Sequence, residues 1–430
     1  MPELILIVDD EPGILSTLGG IFSDEGYATV ATTSGEEALT LYEEKRPAVV
    51  FLDIWLADRD GLETLQALRT TDPTAAVVMM SGHGTTATAV KAIKMGAYDY
   101  LEKPLSYRRA VDAAAGALAF KRSFQPGAVD AAPDRAPDRM EAERRFEAAP
   151  ELPLLAATGR RQRTIRHSTV VYGLGLHSGQ RTGMVLQPLP EGSGIHFVTL
   201  PTGVEIPAHV RAVADTDYAT TLAADGESIR TVEHLLSALH AYGVGNLLIK
   251  VHGEIPVLDG SAVEFCKVLD EVGVAEQDEP QREVVIDRRY EVRGNGEKLL
   301  AVEPAESFSV SYLLRYPPPV GEQSYEFTLT SAEAYKREIA PARTFGFMKD
   351  LKMMNELGLG SGGRLDNFIL VGEDEVINTE LRFPDEFVRH KILDIIGDLY
   401  LAGYPMRGKV TARLTGHRDN ITLLQRIVAG

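Results

Sequence analysis

Between Ser123 and Gly159 the chain loses its hydrophobic period, and no single core can form across such a gap. The stretch is filled by Ala, Pro, Asp, Glu and Arg, with Ala-Pro-Asp-Arg-Ala-Pro-Asp-Arg over 132–139. Composition of this kind buries too little apolar surface to offset the entropy of ordering it. Prolines at 126, 133, 137, 150 and 153 keep parts of it extended. Residues 123–159 therefore read as a disordered, flexible linker with a transient helix over 139–148. A chain of 430 residues is also too long for one ordinary core. The expected layout is a domain at 1–122, the linker at 123–159, and a two-part region at 160–280 and 281–430.

The first domain alternates short apolar runs with helical patterns. Runs at 4–8, 49–52, 76–80 and 98–101 read as buried parallel strands, and 13–25 and 36–44 read as helices. This is a doubly wound α/β pattern. In such sheets ligands bind beyond the carboxyl ends of the strands. Asp9 and Asp10 follow the first run, Asp53 and Ser81 follow two middle runs, and Lys103 follows the last. All five converge on one edge. Three carboxylates brought that close repel one another, which implies a hard cation such as Mg2+. A carboxylate beside Mg2+, a lysine and a hydroxyl can accept a phosphoryl group, because all three neutralise charge on the group in transit. The bland alternative is that acids and a lysine merely cap strands.

Those residues carry a resemblance. Residues 1–122 resemble the receiver domain of two-component response regulators, of nitrogen-regulator type over 91–104. The matching pieces are Val8-Asp9-Asp10-Glu11, Phe51-Leu52-Asp53, Met80-Ser81-Gly82-His83-Gly84 and Glu102-Lys103-Pro104. The resemblance implies a flavodoxin-like fold and Asp53 as phospho-acceptor, with Mg2+ on Asp9, Asp10 and Asp53. It implies Ser81 as switch hydroxyl, Lys103 as phosphate contact, Tyr100 as aromatic switch residue and a cis bond before Pro104. It also implies a sensor histidine kinase as partner and a homodimer through the receiver. Receivers of this type normally precede an ATPase module and a DNA-binding helix-turn-helix. No Gly-x-x-x-x-Gly-Lys-Ser/Thr phosphate loop follows here; the run Gly403–Lys409 continues into Val410.

Charge agrees. A net charge of −18 opposes a general nucleic-acid binder, which needs a basic face for phosphates. Cys266 is the sole cysteine, so no internal disulfide forms, as suits a cytoplasmic protein. The first ten residues lack the basic start of a signal peptide, and no apolar run is long enough to span a bilayer. Membrane contact is at most peripheral.

In the second region a strand is expected at 164–171, leading into the Gly-punctuated loop Gly173–Gly179 that carries His177. A helix follows, capped by Thr231, with Glu233 and His234 in its first turn. Strands and turns return over 246–259, and a second set of strands runs over 284–329. Residues 387–400 form the most constrained helix. His390, Asp394 and Asp398 recur every four residues and share one face, and Val388, Ile392, Leu393, Ile395, Ile396 and Leu399 cover the rest. A helix apolar nearly all round is buried, so its ionisable groups need partners. On that segment alone, a metal ion and a helix–helix ion pair are equally good partners. The chain context favours the metal. His234, His390 and Asp394 supply the three N and O ligands of an open zinc (Zn2+) site, and Glu233 is the free carboxylate that would deprotonate water. His417, read as closing a strand over 410–414, would donate a proton to a leaving group, and Thr344 would steady an oxyanion. The chemistry is metal-assisted amide hydrolysis. His83, His167, His196, His209, His240 and His252 lack such context and read as loop or packing residues.

Residues 162–430 are similar to UDP-3-O-acyl-N-acetylglucosamine deacetylase, the zinc enzyme that commits lipid A synthesis. The matches are Gly175-Leu176-His177-Ser178-Gly179, Thr231-Val232-Glu233-His234, Pro256-Val257-Leu258-Asp259-Gly260-Ser261-Ala262, Ala342-Arg343-Thr344-Phe345-Gly346-Phe347 and the helix at 387–399. The resemblance implies the same ligands, base and acid, with Asp398 orienting His417 and with Lys391, Phe345 and His177 contacting UDP-3-O-acyl-N-acetylglucosamine. It implies two α+β halves with the helices sandwiched between two sheets. The departures are small: His-Ser-Gly for the usual His-Thr-Gly, Thr-Gly-His for Ser-Gly-His, and only 420–430 left for a final helix. The receiver ahead of it is foreign to the family. Three readings remain: a deacetylase governed by its receiver, a deacetylase whose receiver only docks or dimerises, and a two-component signalling protein whose deacetylase-like domain is a non-catalytic output. At random-coil dimensions the linker reaches roughly 30–40 Å, enough for docking or pairing.

Overall fold

The computed structural model describes residues 2–82, 91–92, 95–123, 152, 154–200, 202–351, 353, 359–364 and 367–429. Most of the expected linker, its helix at 139–148 and His83 lie outside the described residues. Two compact units are present; the first carries the elements up to Ser123 and the second most of those from Leu155 onward.

In the first unit, β1 (Leu4–Val8), β2 (Ala28–Thr32), β3 (Val49–Asp53), β4 (Val77–Ser81) and β5 (Asp99–Glu102) form one sheet. Their order is β2-β1-β3-β4-β5, and every pair is parallel. β1, β3 and β4 are apolar but for the closing Asp53 and Ser81, because both faces are covered. Ile5, Ile7, Phe51, Val78 and Met80 share one core with Ile14, Leu18 and Phe22 of α1 (Pro12–Asp24) and Ala114 of α4 (Tyr107–Ser123). Leu6, Val8, Leu52, Val77 and Met79 point the other way, onto Tyr42 of α2 (Gly35–Lys45) and Leu65 of α3 (Gly61–Thr71). The period of two thus feeds two cores at once. β2 escapes a sequence reading: it is an edge strand in which only Thr32 is buried, so it has no apolar run. Strand order reverses between β1 and β3, which puts the ends of those strands at the switch point of the sheet. The Lys103–Pro104 bond is cis, as expected.

The second unit is α+β. One five-stranded sheet runs in the order Glu205–Pro207, Ile195–Thr199, Leu247–Val251, Arg181–Pro188, Thr169–Leu174. Another runs Tyr290–Arg293, Leu299–Glu303, Lys409–Arg413, Ser309–Arg315, Glu322–Thr328. The helices between them are α5 (Glu233–Tyr242), α6 (Val263–Val272), α7 (Ala332–Glu338), α8 (Glu386–Tyr400) and α9 (His417–Ala429). α8 packs on α5, on α9 and on the strands Ser309–Arg315 and Glu322–Thr328. As its apolar pattern requires, α8 is buried at every position but Arg389 and Lys391. A third sheet ties the unit together: Val274–Val285 pairs antiparallel with Leu155–Ile165 and parallel with Met406–Arg407.

Three local expectations are corrected. The strand expected at 164–171 is two strands, Leu155–Ile165 and Thr169–Leu174, parted where the Arg166 N–H turns to the Gly273 carbonyl. The first begins at Leu155, inside the stretch expected to be disordered linker, because its distant partner Val274–Val285 holds it. Thr231 does not cap α5. It has a φ of 62°, and its hydroxyl donates to Glu254 at 3.1 Å, while Val232 is the N-cap residue. His417 opens α9 rather than closing a strand, because the Asp419 carboxylate accepts the Gly416 N–H at 2.9 Å and starts the helix early.

α5 and α8 approach closely at Gly397. A Cβ there would lie 2.0 Å from the Glu233 carbonyl oxygen and 3.0 Å from Glu233 Cα. Both obstacles are backbone, so they cannot rotate aside. Gly397→Ala is therefore expected to destabilise the second unit by about 1–3 kcal/mol through overpacking, against a gain of at most about 1 kcal/mol in helix propensity. Urea melts check this, and an unshifted midpoint would show that the two helices can part at no cost.

Candidate functional site

At the switch point of the first unit, the carboxylates of Asp9, Asp10 and Asp53 offer oxygens that all lie within 4.8 Å of one another. Asp9 and Asp53 are buried and Asp10 is exposed. Lys103 Nζ lies 2.7 Å from Asp9 Oδ2 and 2.8 Å from Asp53 Oδ2. Ser81 ends β4 in the interior, and its carbonyl accepts the Lys103 N–H at 2.7 Å. Tyr100 lies on β5. Burial pushes the Asp9 carboxyl up to about 7; Lys103 draws it back and Asp53 adds to the rise. Burial alone would lower the Lys103 amine, but Asp9 and Asp53 outweigh it and raise it. An all-oxygen donor set with one solvent-facing member fits a hard cation that keeps part of its water shell. The five residues expected at this edge are together.

The second unit has a cleft of about 320 Å³, lined by His177, Glu233, His234, Thr344, Phe345, His390, Lys391, Asp394 and His417 among others. α5 opens with Glu233 and His234 facing it, and α8 presents His390 and Asp394 one turn apart. Asp394 Oδ1 lies 3.4 Å from His390 Nε2 and 3.9 Å from His234 Nε2. The three side chains converge within 4.8 Å, all of them buried. Asp394 Oδ1 is buried yet accepts no hydrogen bond. A buried carboxylate oxygen without a donor is costly, and a cation between it and the imidazoles would remove the cost. The His390 Nδ1 contacts the Ala342 carbonyl at 3.0 Å, which fixes the tautomer and leaves Nε2 free to ligate. Burial, with His390 beside it, holds His234 down at about 3, and burial also lowers His390, so both rings are neutral as ligands must be. Burial would raise Asp394, but Lys391 and the surrounding histidines outweigh it and keep it well below the usual carboxylate range. Donor types, burial and protonation states fit zinc.

Lys391 Nζ lies 2.8 Å from Asp394 Oδ2 and 5.5 Å from the Phe345 ring centre. Burial would lower its amine, but Asp394 outweighs this and raises it above its ordinary value. The Thr344 backbone is pinned between Gly260 and Ile369, with its N–H 2.7 Å from the Gly260 carbonyl. Across the cleft, His417 Nε2 lies 3.9 Å from Glu233 Oε1, and His417 Nδ1 lies 2.8 Å from Asp398 Oδ2. Asp398 does not line the cleft; it sits beneath His417, fully buried.

Sequence reasoning missed the residues that hold this pair. The Thr220 hydroxyl donates to Asp398 Oδ1 at 2.6 Å and its N–H donates to Glu233 Oε2 at 3.2 Å. The Asn420 amide donates to Asp398 Oδ2 at 2.8 Å. Thr220 and Asp398 are 178 residues apart, so no local pattern could join them. Burial pushes the Glu233 carboxyl up to about 8; His417 draws it back, and Asp398 and Asp394 add to the rise. Burial works against the His417 imidazolium, but Asp398 and Asp394 outweigh it and raise it to about 9.

A family model described as UDP-3-O-acyl N-acetylglycosamine deacetylase matches residues 162–429, and one described as response regulator receiver domain matches 5–115. The chain is 43% identical over 271 residues to UDP-3-O-acyl-N-acetylglucosamine deacetylase of Wolinella succinogenes, covering 62% of this chain and 90% of that protein. It is 42% identical to the protein of that name from Helicobacter pylori, covering 63% of this chain and 92% of that protein. Among solved structures, the receiver domain of NtrX from Brucella abortus is 45% identical and covers 27% of this chain and 98% of its own, with a TM-score of 0.26.

Asp398 raises both Glu233 and His417, since a nearby negative charge disfavours the carboxylate and favours the imidazolium. Asp398→Asn should therefore lower both titrations. In NMR titrations the His417 ring should lose its proton at lower pH than in the wild type. An unmoved midpoint would remove Asp398 as the cause of the shift.

Proposed function

Because the chain belongs to the UDP-3-O-acyl N-acetylglycosamine deacetylase family, with a response regulator receiver domain ahead of it, we propose that it hydrolyses the N-acetyl group of UDP-3-O-acyl-N-acetylglucosamine in a zinc-dependent reaction, the committed step of lipid A biosynthesis, under the control of phosphorylation at Asp53. The observation that carries the catalytic part is the convergence of His234, His390 and Asp394 with Glu233 and His417 on one cleft. Residues 160–280 and 281–430 are its two halves, and the cytoplasm is its compartment. No helix among the described residues is long and apolar enough to cross a membrane.

His234, His390 and Asp394 would hold the zinc ion, which supplies Lewis acidity and makes water a stronger nucleophile at neutral pH. Glu233, whose ionised form the positive charge of a bound cation would favour against the burial that raises it, takes a proton from the attacking water, whose oxygen adds to the acetyl carbonyl carbon. The Thr344 hydroxyl donates to the developing oxyanion. As the C–N bond breaks, the His417 imidazolium gives its proton to the leaving amine, and acetate is released. Asp398 keeps His417 charged and aimed; Thr220 and Asn420 keep Asp398 in place. Lys391, Phe345 and His177 contact the substrate.

In the receiver, Asp9, Asp10 and Asp53 hold Mg2+, and Asp53 accepts a phosphoryl group from a sensor histidine kinase or a small phosphodonor. Lys103 then trades its carboxylate contacts for the phosphoryl oxygens. Ser81 and Tyr100 respond, and the altered face docks on the hydrolase or on a second receiver. A threefold change in rate needs states that differ by only about 0.65 kcal/mol.

The purified protein should release acetate from UDP-3-O-acyl-N-acetylglucosamine, stop when chelated and recover with zinc. Glu233→Ala should keep the metal and lose roughly 100- to 10,000-fold in rate. Near wild-type turnover in that variant would make Glu233 a bystander, and no turnover in any metal-loaded form would leave the non-catalytic output reading.

Control by the receiver is checked with the wild type, Asp53→Asn and a chain beginning ahead of Leu155, each with and without phosphodonor. Asp53 should become labelled in the presence of Mg2+, and Asp53→Asn should not. Rates should differ between the phosphorylated and unphosphorylated wild type only. Identical rates and oligomeric states in all six conditions would eliminate control in cis.

A further inference from the structure

Glu254 is a buried carboxylate, 4% exposed, with three neutral donors aimed at its two oxygens. The His177 N–H donates to Oε1 at 2.9 Å and the Ser178 N–H to Oε2 at 2.9 Å. The Thr231 hydroxyl donates to Oε1 at 3.1 Å. Two separate walls of the cleft thus meet on one side chain. One is the loop that carries His177. The other is the turn that launches α5, whose first two residues are Glu233 and His234.

Two further features show that the chain is shaped around this carboxylate. Gly175 makes room for it: a Cβ there would lie 2.3 Å from Glu254 Oε2. Thr231 holds a φ of 62°, in the left-handed region that a β-branched residue rarely adopts. Such strain persists only where surrounding contacts over-determine it, and it gathers at functional sites. The hydroxyl bond to Glu254 is one of those contacts; others are backbone bonds of Arg230 to Gly253 and Ile255, on either side of Glu254. The His177 ring is held quite differently. Both its nitrogens are buried without a hydrogen-bond partner among the described residues, so the loop is fixed by its backbone while the ring faces the cleft.

We infer that Glu254 is a positioning residue for the hydrolase, locking the His177 loop and the Thr231 turn in register so that substrate binding and proton transfer both depend on it. It touches neither substrate nor metal. The role needs an acceptor at every donor. A carboxylate supplies this, whereas an amide of the same shape would turn its own N–H2 toward an N–H or O–H donor. The inference rests on the hydrolase reading above.

The test compares Glu254→Gln, Thr231→Val and Thr231→Ser in the full-length, zinc-loaded protein. The readouts are kcat and KM for UDP-3-O-acyl-N-acetylglucosamine, zinc content, and calorimetric affinity for UDP-N-acetylglucosamine. Glu254→Gln should raise KM, weaken calorimetric binding and lower kcat, with a total loss of about 10- to 100-fold, the same order as for side chains that orient metal ligands from behind. Thr231→Val cuts only the arm to α5, so it should lower kcat and leave KM and binding near wild type. Thr231→Ser keeps the hydroxyl and should regain most of that loss. A space-filling role would produce neither this split nor the rescue by serine. Wild-type kcat and KM in Glu254→Gln would overturn the inference. If that variant does not fold, equal kcat in Thr231→Val and Thr231→Ser overturns it. An inactive wild type would overturn the hydrolase reading instead, leaving the calorimetric comparison to judge Glu254.

Discussion

Gly397 has no Cβ, and the backbone of Glu233 occupies the space where one would be. This contact fixes how near α8 can come to α5. The cleft depends on it, because His234 belongs to one helix and His390 and Asp394 to the other. Neither helix alone carries all three of these side chains. A separation larger by one methyl group would pull the imidazoles apart and detach Glu233 from His417. The site is thus a product of helix packing, and its precision comes from contacts between backbones, which deform less readily than side chains.

Charge supplies the second constraint. α8 brings three carboxylates into the interior, Glu386 (paired with Arg343), Asp394 and Asp398, together with His390, and sets the half-buried Lys391 beside them; isolated ions there are very costly. Each is answered by a neighbour. Asp394 has Lys391 and the imidazoles, and Asp398 has His417, Thr220 and Asn420. Asp398 has partners on both oxygens, whereas Asp394 keeps one oxygen without a donor. The helix therefore carries two acids one turn apart that differ in the number of hydrogen bonds each receives, and the one left short of a donor is the one that faces the cleft.

Much of this was legible in the sequence where a residue's role is local. The period of four along 387–400 placed His390, Asp394 and Asp398 on one face, and the apolar runs of β1, β3 and β4 placed Asp9, Asp53 and Ser81 at one sheet edge. β2 was not legible because an edge strand needs no apolar run. Thr231 reads as a helix cap because its position ahead of Glu233 is right, yet its hydroxyl is claimed by Glu254, more than twenty residues on. Thr220, Asn420 and Glu254 carry no local signal. Their chemistry comes from partners brought to them by the fold, and a threonine or glutamate in a strand-and-turn segment looks like any other.

The strand Leu155–Ile165 finds its partners only in Val274–Val285, and that strand is completed by Met406–Arg407. During synthesis the opening segment of the second unit must therefore wait, unpaired, until Val274–Val285 has been made, and that strand waits in turn for Met406–Arg407 on its other edge. The first unit has no such delay. All five of its strands pair within the first 102 residues, and its sheet can close early. Long-range pairing is slow and leaves strands exposed, so each newly made molecule spends time as a finished receiver joined to an unfinished hydrolase. The signalling module is born competent, and the enzyme it precedes is the last part of the polypeptide to become one.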